Sequence, residues 1–546
     1  MTRKDNYETK ILVLDDERLI RMTMCARLKK AGYTAVAASS VDEAVPILKQ
    51  HHASFCAIIS DIMMGNMDGF AFRDIVHGID PTMPFFFLTA LDPEEGSGFL
   101  KRIVSDPLSY YLPKSVATDV LINRVKRVVA SRKIEQFIER KMDEDRQSMA
   151  LAEHIQRSLL PPRAIMTPRG FYSTFWKPMD IVSGDLYEAF QFVPNTYLYV
   201  LGDIQGHGTS AALAMTAVQS YIKRFKMASD NNKIEPFDIA NQLQMFFRAN
   251  LADVSYMTAL ICIHRPLEND ILWISCGAPD LVIYDGGKKR MNINPEHRGG
   301  MPIGLMDGVT YHKEDQVRTV YSDTAVCMAY TDGILDLTRD VEGIDKMSDD
   351  MIDNFVAEMI IDARANGSLM PLPCKLMRMC NEYGFKHQHD DITVLMLGKT
   401  VVQDGIYEAT VPLSPTDVDK ASQNIGTWCR ANGWSEELIG HVQLVVEEKM
   451  MNVYDHGFDD RDRMREVVSI RLMMERDGAH LTIWDRGSEE PSLAVAAGNA
   501  ETAFELINKE LSGHGRGRLI VRQLCSGIER NRLNELNETI YHIKKV

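Results

Sequence analysis

Short apolar runs punctuate the N-terminal part of the chain, and each one closes on a polar residue. Ile11–Leu14 ends at Asp15 and Asp16, Phe55–Ser60 at Asp61, Pro84–Leu88 at Thr89, and Tyr110–Leu112 runs into Lys114. Helical spacing (Leu19, Met22, Leu28) follows the first run, and a further strand is predicted near Tyr33–Ala38. Strands alternating with helices predict a doubly wound parallel sheet, whose ligands gather at the carboxyl ends of the strands. Every polar residue just named falls at such an end.

The pattern then changes. From about Leu121 to Leu160 prolines are absent and Lys, Arg, Glu, Gln and Met dominate, which predicts one long helix. Ile134, Ile138, Met142, Met149, Ala152, Ile155 and Leu159 form an apolar stripe interrupted by Asp145 and Arg146, and Pro161-Pro162 ends the helix. The stripe fits either a solvated spacer or a coiled coil that makes the chain a homodimer. Beyond it, Tyr197–Leu201 predicts a buried strand, followed by a glycine cluster carrying Asp203 and an alanine-rich helix from Thr209. Three more acidic motifs adjoin strand-like runs: Asp185 in Ser183-Gly-Asp-Leu-Tyr187, Asp332 after Val326–Tyr330, and Asp390-Asp391 before Ile392–Leu395. After Gly398 a helix over Val445–His456 places Glu448, Asn452 and His456 on one face. Leu481–Trp484 predicts a strand delivering Asp485, and Gly513-His-Gly-Arg-Gly517 opens a helix over Arg518–Leu524.

At 546 residues the chain suggests about three or four domains. Apolar content of 45% and charged content of 25% are ordinary for a globular protein. The formal charge of −15 argues against a nucleic-acid surface as the main output. Nine cysteines without C-x-x-C spacing predict reduced thiols and no zinc cluster. No apolar run approaches the ~20 residues of a membrane span, so a cytoplasmic protein without membrane contact is expected.

Carboxylates gathered at strand ends repel one another unless a cation neutralises them, and an all-oxygen set suits Mg²⁺ or Mn²⁺. Asp15, Asp16 and Asp61 can hold Mg²⁺, and a carboxylate can act as nucleophile to give an aspartyl phosphate. This set, with Thr89 and Lys114 for the phosphoryl oxygens, resembles the response-regulator receiver domain. Asp61-Ile-Met-Met-Gly-Asn-Met-Asp-Gly69 matches its phosphoacceptor loop, with Gly65 and Ser115 in place of usual prolines. The resemblance implies Asp61 as phosphoacceptor, the Met63 backbone as a further metal ligand, Tyr111 as switch aromatic, and an upstream histidine kinase.

The four central motifs, with Gly299-Gly-Met-Pro-Ile-Gly-Leu305, resemble the metal-dependent serine/threonine phosphatases of the bacterial sporulation and stress-response subfamily. That resemblance implies an α-β-β-α sandwich and a binuclear Mn²⁺ or Mg²⁺ centre. Its ligands would be Asp203, Asp332 and Asp390, completed by the Ile204 carbonyl and Asp185. Ser183 and Ala278 depart from the usual glycine and histidine, and His154-Ile-Gln-Arg-Ser-Leu-Leu-Pro161 is similar to the segment leading into this subfamily. The C-terminal motifs resemble the Bergerat-fold ATPases, most of all the anti-sigma-factor serine kinases. By that likeness Asn452 coordinates Mg²⁺, Glu448 is the general base, Asp485 and Gly487 meet the adenine with Thr539 nearby, and Gly513, Gly515 and Gly517 cover the ATP phosphates.

The expected architecture is therefore multidomain α/β and α+β: a receiver domain with a doubly wound parallel sheet over residues 8–125, a helical connector over 126–160, a phosphatase over 161–400 and a Bergerat-type α/β sandwich over 405–546. The expected function is partner switching. Asp61 phosphorylation would control dephosphorylation of a small antagonist (anti-anti-sigma) protein, while the last domain phosphorylates that antagonist, sequesters a sigma factor, or does both. Two alternatives stand beside it: a C-terminal domain that only binds partners, and a two-component kinase output. The second conflicts with the lack of a separate phosphorylatable-histidine helix.

Overall fold

In the computed structural model the described residues are 10–64, 68–90, 103, 106–206, 208–227, 234–251, 256–285, 288–290, 300–401, 403–458, 466–488 and 516–545. The chain divides into two compact units, Met1–Ser148 and Met149–Val546.

The first unit holds five parallel strands: β1 (Lys10–Leu14), β2 (Thr34–Ala38), β3 (Phe55–Asp61), β4 (Phe85–Thr89) and β5 (Ser109–Pro113), in the order β2-β1-β3-β4-β5. All seven residues of β3 are buried, as expected of a central strand covered on both faces. Helices α1 (Arg18–Lys30), α2 (Val41–His51) and α3 (Gly69–Ile79) connect the strands. The long helix expected from about Leu121 begins three residues earlier, as α4 (Thr118–Leu159), and ends in the second unit. Its first turns are a core element of the first unit, because Leu121, Val125 and Val129 pack against Ile11, Ile59 and Leu88. Arg132 closes that contact, donating to the Phe55 carbonyl and pairing with Asp80 at 2.6 Å. Beyond it Ile134, Phe137, Ile138, Met142, Leu151 and Ile155 are exposed.

The second unit contains two antiparallel sheets that face each other. The strands that matter for chemistry are β7 (Gly170–Lys177), β8 (Asp185–Val193), β9 (Thr196–Ile204), β10 (Met257–Arg265), β15 (Val326–Tyr330) and β16 (Ile392–Lys399). With β6 (Ala164–Met166), β11 (Asp270–Cys276), β12 (Val282–Asp285), β13 (Lys288–Arg290) and β14 (Val317–Val320), one sheet has the order β14-β11-β10-β9-β8 and the other β13-β12-β15-β16-β7-β6. Helices α5 (Thr209–Lys223) and α6 (Pro236–Asn250) cover the first sheet; Met215, Val218, Leu243 and Phe247 join a core that reaches Leu201 and Ile261. Helices α7 (Asp349–Asn366) and α8 (Leu372–Glu382) cover the second. The result is an α-β-β-α sandwich.

A third sheet, β17-β18-β19-β21-β20, comprises Ile406–Pro412, Val467–Glu475, Gly478–Asp485, Leu536–Lys544 and Cys525–Leu533 in that spatial order. Helices α9 (Pro415–Ala431), α10 (Glu436–His456) and α11 (Arg516–Leu524) lie on one face of it, over Leu481, Ile483, Tyr541 and Ile543. Part of its other face packs on the sandwich, where Trp484, Leu533 and Leu536 share a core with Phe171 and Met377. Polar contacts reinforce that seam. Arg163 pairs with Glu535, Arg486 donates to the Thr174 carbonyl at 2.7 Å, and Met166 N–H donates to Thr410 Oγ1 at 2.8 Å.

Candidate functional sites

The sandwich brings four separate acidic motifs to one end. Asp203 was expected just past a strand ending at Leu201, but β9 continues through Ile204 because it pairs on both sides, with Met257–His264 of β10 and with β8. That double ladder makes Asp203 and Asp185 direct cross-strand partners, a spacing of roughly 5 Å between Cβ atoms. Asp332 opens a 3₁₀ turn immediately after β15, and Asp390 and Asp391 precede β16. Two glycines permit the convergence. A Cβ on Gly333 would lie 1.9 Å from the Asp391 carbonyl oxygen, and one on Gly184 would lie 2.8 Å from the Ile204 carbonyl oxygen. The Ile204 carbonyl is thus turned toward the Asp185 loop.

Asp185 is fully enclosed. Its Oδ2 accepts hydrogen bonds from Thr331 Oγ1 (2.8 Å) and Thr393 Oγ1 (2.5 Å), while its Oδ1 is buried with no hydrogen-bond partner. Asp391 holds the same loop through its carboxylate, which accepts from Met179 N–H and Gly184 N–H, both at 2.7 Å. Ser183, where the resembled family has glycine, offers its Oγ to Asp185 N–H at 3.0 Å. Burial first, and then neighbouring Asp203 and Asp391, push the Asp185 carboxyl well above the ordinary range. Asp203 rises to about 7 through burial and then the charges of Asp332, Asp390 and Asp391. Asp332 and Asp390 are raised as well, again mainly by burial. Such a set, with a buried carboxylate oxygen left without a donor, fits hard divalent cations held by oxygen.

The end of α4 touches this loop. Gln156, buried to 1% exposure, donates from Nε2 to the Ser183 carbonyl (2.6 Å) and accepts from Ser183 N–H at Oε1 (2.9 Å). The last carbonyl of the helix, Leu159, accepts from Gln219 and Lys223 of α5.

In the first unit, Asp15, Asp16 and Asp61 offer oxygens within 4.8 Å of one another. Lys114 Nζ lies 2.7 Å from Asp61 Oδ2 and 3.1 Å from Asp15 Oδ2. Burial raises the Asp15 carboxyl above its ordinary value. Thr89 is buried at the end of β4, and the Met63 backbone N–H lies 3.4 Å from Asp61 Oδ1. A Cβ on Gly69 would crowd the Asp61 carbonyl oxygen, so the first turn of α3 packs directly on the end of β3. These oxygens suit Mg²⁺, with the lysine as the fixed positive charge.

On the third sheet, Asn452 Nδ2 donates to Glu448 Oε1 at 3.2 Å on α10. Asp485 ends β19, almost fully buried, and its Oδ1 accepts from Gly487 N–H (3.0 Å) and Asn537 Nδ2 (2.8 Å). Lys449 Nζ lies 3.0 Å from Asp485 Oδ2, a buried ion pair. Thr539 is buried on β21 opposite Ile483. Gly517 falls in the first turn of α11, which begins at Arg516, two residues before the expected start. Gly513 and Gly515 lie outside the described residues, as do Gly65, Gly299 and Glu489.

Family models match all three regions: response regulator receiver domain over residues 11–126, Stage II sporulation protein E (SpoIIE) over 194–399, and histidine kinase-like ATPase domain over 411–542. The chain joins a receiver, a SpoIIE-type phosphatase domain and a histidine kinase-like ATPase domain. Asp185 and its supporting serine precede the stretch matched by the phosphatase model. Among curated proteins, the chain is 21% identical over 205 residues to phosphoserine phosphatase RsbP of Bacillus subtilis, covering 37% of this chain and 49% of that protein. It is 28% identical over 127 residues to the C4-dicarboxylate transport transcriptional regulatory protein DctD of Rhizobium meliloti, covering 23% of this chain and 26% of that protein. The chain spans about half or less of the curated relatives it matches. Among solved structures, the RsbU and RsbW domains of Rv1364c from Mycobacterium tuberculosis align over 70% of this chain and 96% of that one, at 15% identity and TM-score 0.38. The SiaA-PP2C domain of Pseudomonas aeruginosa aligns over 48% and 99%, at 21% identity and TM-score 0.39.

Several residues that shape the phosphatase-domain site were not singled out from the sequence. In the sequence Thr331 and Thr393 are ordinary hydroxyls beside the acidic motifs, Asp391 is the neighbour of Asp390, and Gln156 is one polar residue of a polar helix. Lys449, between Glu448 and Asn452, has no sequence signal for its pairing with Asp485. Thr393 alone carries a local signal, as the one hydroxyl within the apolar run Ile392–Leu397.

Proposed function

We propose that this chain is a phosphorylation-gated protein-serine/threonine phosphatase that works in a partner-switching circuit controlling a sigma factor. The reading rests above all on Asp185, whose buried Oδ1 has no donor, facing Asp203 across the β8–β9 ladder beside Asp332 and Asp390. Asp185, Asp203, Asp332 and Asp390, with the Ile204 carbonyl, would hold Mn²⁺ or Mg²⁺. Bound there, the metal supplies Lewis acidity and lowers the pKa of a water nucleophile. The chain's own groups do the positioning. Thr331 and Thr393 orient Asp185 and favour its anion against the burial that opposes it, Asp391 fixes the Gly184 turn, and Gln156 fixes Ser183. The substrate class is a phosphoserine or phosphothreonine on a small antagonist protein.

Control would come from Asp61, phosphorylated by an upstream histidine kinase with Mg²⁺ held by Asp15, Asp16, Asp61 and the Met63 backbone. Thr89 and Lys114 bind the phosphoryl oxygens. The exposed stripe Ile134, Ile138 and Met142 on α4 is the surface on which a second copy pairs. Pairing sets the register of α4, and Gln156 carries that register to the Asp185 loop. Phosphorylation therefore activates the phosphatase. The ATPase domain opposes it by phosphorylating the antagonist, with Asn452 on Mg²⁺, Glu448 as base, Asp485, Gly487 and Thr539 at the adenine, and Gly513, Gly515 and Gly517 over the phosphates. One observation favours a second reading of that domain, as a binder of the antagonist or sigma factor without catalysis: Lys449 already engages the Asp485 carboxylate intended for adenine.

The test is to incubate the full chain with a phosphoserine antagonist and Mn²⁺, and to follow release of phosphate. Turnover that Asp203→Asn abolishes supports the reading; full activity of that variant refutes it. Calorimetry with Mg²⁺-ATP decides between the two readings of the ATPase domain.

A further inference from the structure

The ATPase-domain sheet also carries two histidines in register. His480 of β19 and His542 of β21 are direct cross-strand partners, with ring centroids 4.9 Å apart. Strand alternation fixes their side. Ala479, Leu481, Tyr541 and Ile543 point into the core under α10, so His480 and His542 project from the opposite face. Glu475, at the end of the β18–β19 hairpin, reaches the same spot: its Oε1 lies 3.1 Å from His480 Nδ1. One donor atom from each of Glu475, His480 and His542 lies within 4.8 Å of the other two. Glu529 of β20 adds a second carboxylate, 3.4 Å from His542 Nε2.

The neighbouring strand leaves room for this group. The residue opposite His542 on β20 is Gly527, reached through a register shift after Cys525. A Cβ there would sit 3.3 Å from His542 Cδ2, so a side chain would press on the ring. Irregularities of this kind commonly re-aim side chains at sheet edges and binding sites. Both imidazoles keep a wet side, with side-chain exposures of 26% and 33%, open to an ion and to a water ligand.

We propose that His480, His542 and Glu475 form a transition-metal site, suited to Zn²⁺, on the back of the ATPase-domain sheet. Two imidazole nitrogens and a carboxylate, with a fourth position left to water or Glu529, form a donor set that Zn²⁺ accepts in tetrahedral geometry. Zn–N and Zn–O bonds of ~2.0–2.1 Å place tetrahedral donors about 3.3 Å apart. The Glu475–His480 separation is already there, and His542 closes the triangle by a rotation of its ring. The site is independent of the oxygen centres, which prefer Mg²⁺ or Mn²⁺, and of the candidate nucleotide residues, since Ile483 and Thr539 belong to the register on the helix-covered side.

The experiment is a Zn²⁺ titration by calorimetry on the full chain in saturating Mg²⁺, which fills the oxygen sites. Wild type should bind one equivalent of Zn²⁺ more than His480→Ala/His542→Ala, and each single histidine variant should weaken that equivalent at least tenfold. Glu475→Gln should weaken it less. Zinc K-edge absorption of wild type loaded with one equivalent should show imidazole scattering, a readout that does not depend on how the variants fold. Equal Zn²⁺ stoichiometry and affinity in the double variant, or an all-oxygen zinc shell in wild type, would overturn the proposal.

Discussion

Thr393→Val probes the support of the candidate metal centre without touching a ligand. The substitution preserves the shape of a fully buried side chain on β16 and keeps the Thr393 N–H bonded to Thr331 Oγ1. What it removes is the 2.5 Å hydrogen bond from Thr393 Oγ1 to Asp185 Oδ2. A hydrogen bond to a charged group contributes about 1.5–3 kcal/mol. Asp185 already ionises reluctantly because it is buried among other carboxylates, so losing a donor that favours the anion raises its pKa further. Metal binding requires the ionised carboxylate, so the whole loss appears in metal affinity. At about 1.4 kcal/mol per factor of ten, the Mn²⁺ concentration for half-maximal phosphatase activity should rise about 10- to 100-fold. The rate at saturating Mn²⁺ should stay within a few-fold of wild type, and Thr393→Ser should restore the original Mn²⁺ dependence. An unchanged Mn²⁺ half-saturation in Thr393→Val would refute the argument that Asp185 is a ligand held by this hydroxyl pair.

Gln156→Ala deletes two buried hydrogen bonds to Ser183; thermal unfolding should report a loss of about 2–3 kcal/mol, and the phosphatase rate should become indifferent to a phosphoryl mimic at Asp61. The raised Asp203 pKa, about 7 in the folded state against ~3.9 unfolded, makes the native state bind more protons between those values. Stability of the metal-free protein should therefore fall as pH rises from about 4 to about 7. Melting curves should show Mn²⁺ raising the Tm more at pH 8 than at pH 5, and a flat profile would contradict the shift. Asn452→Ala should abolish Mg²⁺-ATP binding by calorimetry while phosphatase turnover is unchanged.

The strands that lead into Asp15, Asp61, Thr89 and Asp332 were legible because each is a short apolar run closed by polar residues, a purely local signal. So was the long helix, which needed only composition and the absence of proline. The end of β9 was not, because what extends it past Leu201 is pairing with Met257–His264 and with β8, and nothing local to Gly202 announces those partners. The same holds for the supports of Asp185. Thr331 and Thr393 meet it across 146 and 208 residues of chain, and only the closed sandwich brings them together. Gln156 is instructive in another way. In a helix rich in charged and amide side chains, one buried glutamine is indistinguishable from its solvated neighbours until the packing of Ser183 is known.

The central claim is that Asp61 governs the phosphatase through α4. It is tested most directly by measuring phosphate release from a phosphoserine antagonist in saturating Mn²⁺, with and without beryllofluoride as the aspartyl-phosphate mimic. Wild type, Asp61→Ala and the helix-breaking Met149→Pro should be assayed side by side. The rate should rise with the mimic in wild type and be indifferent to it in both variants. A Met149→Pro protein that responds as strongly as wild type, or a wild type that does not respond, would contradict it.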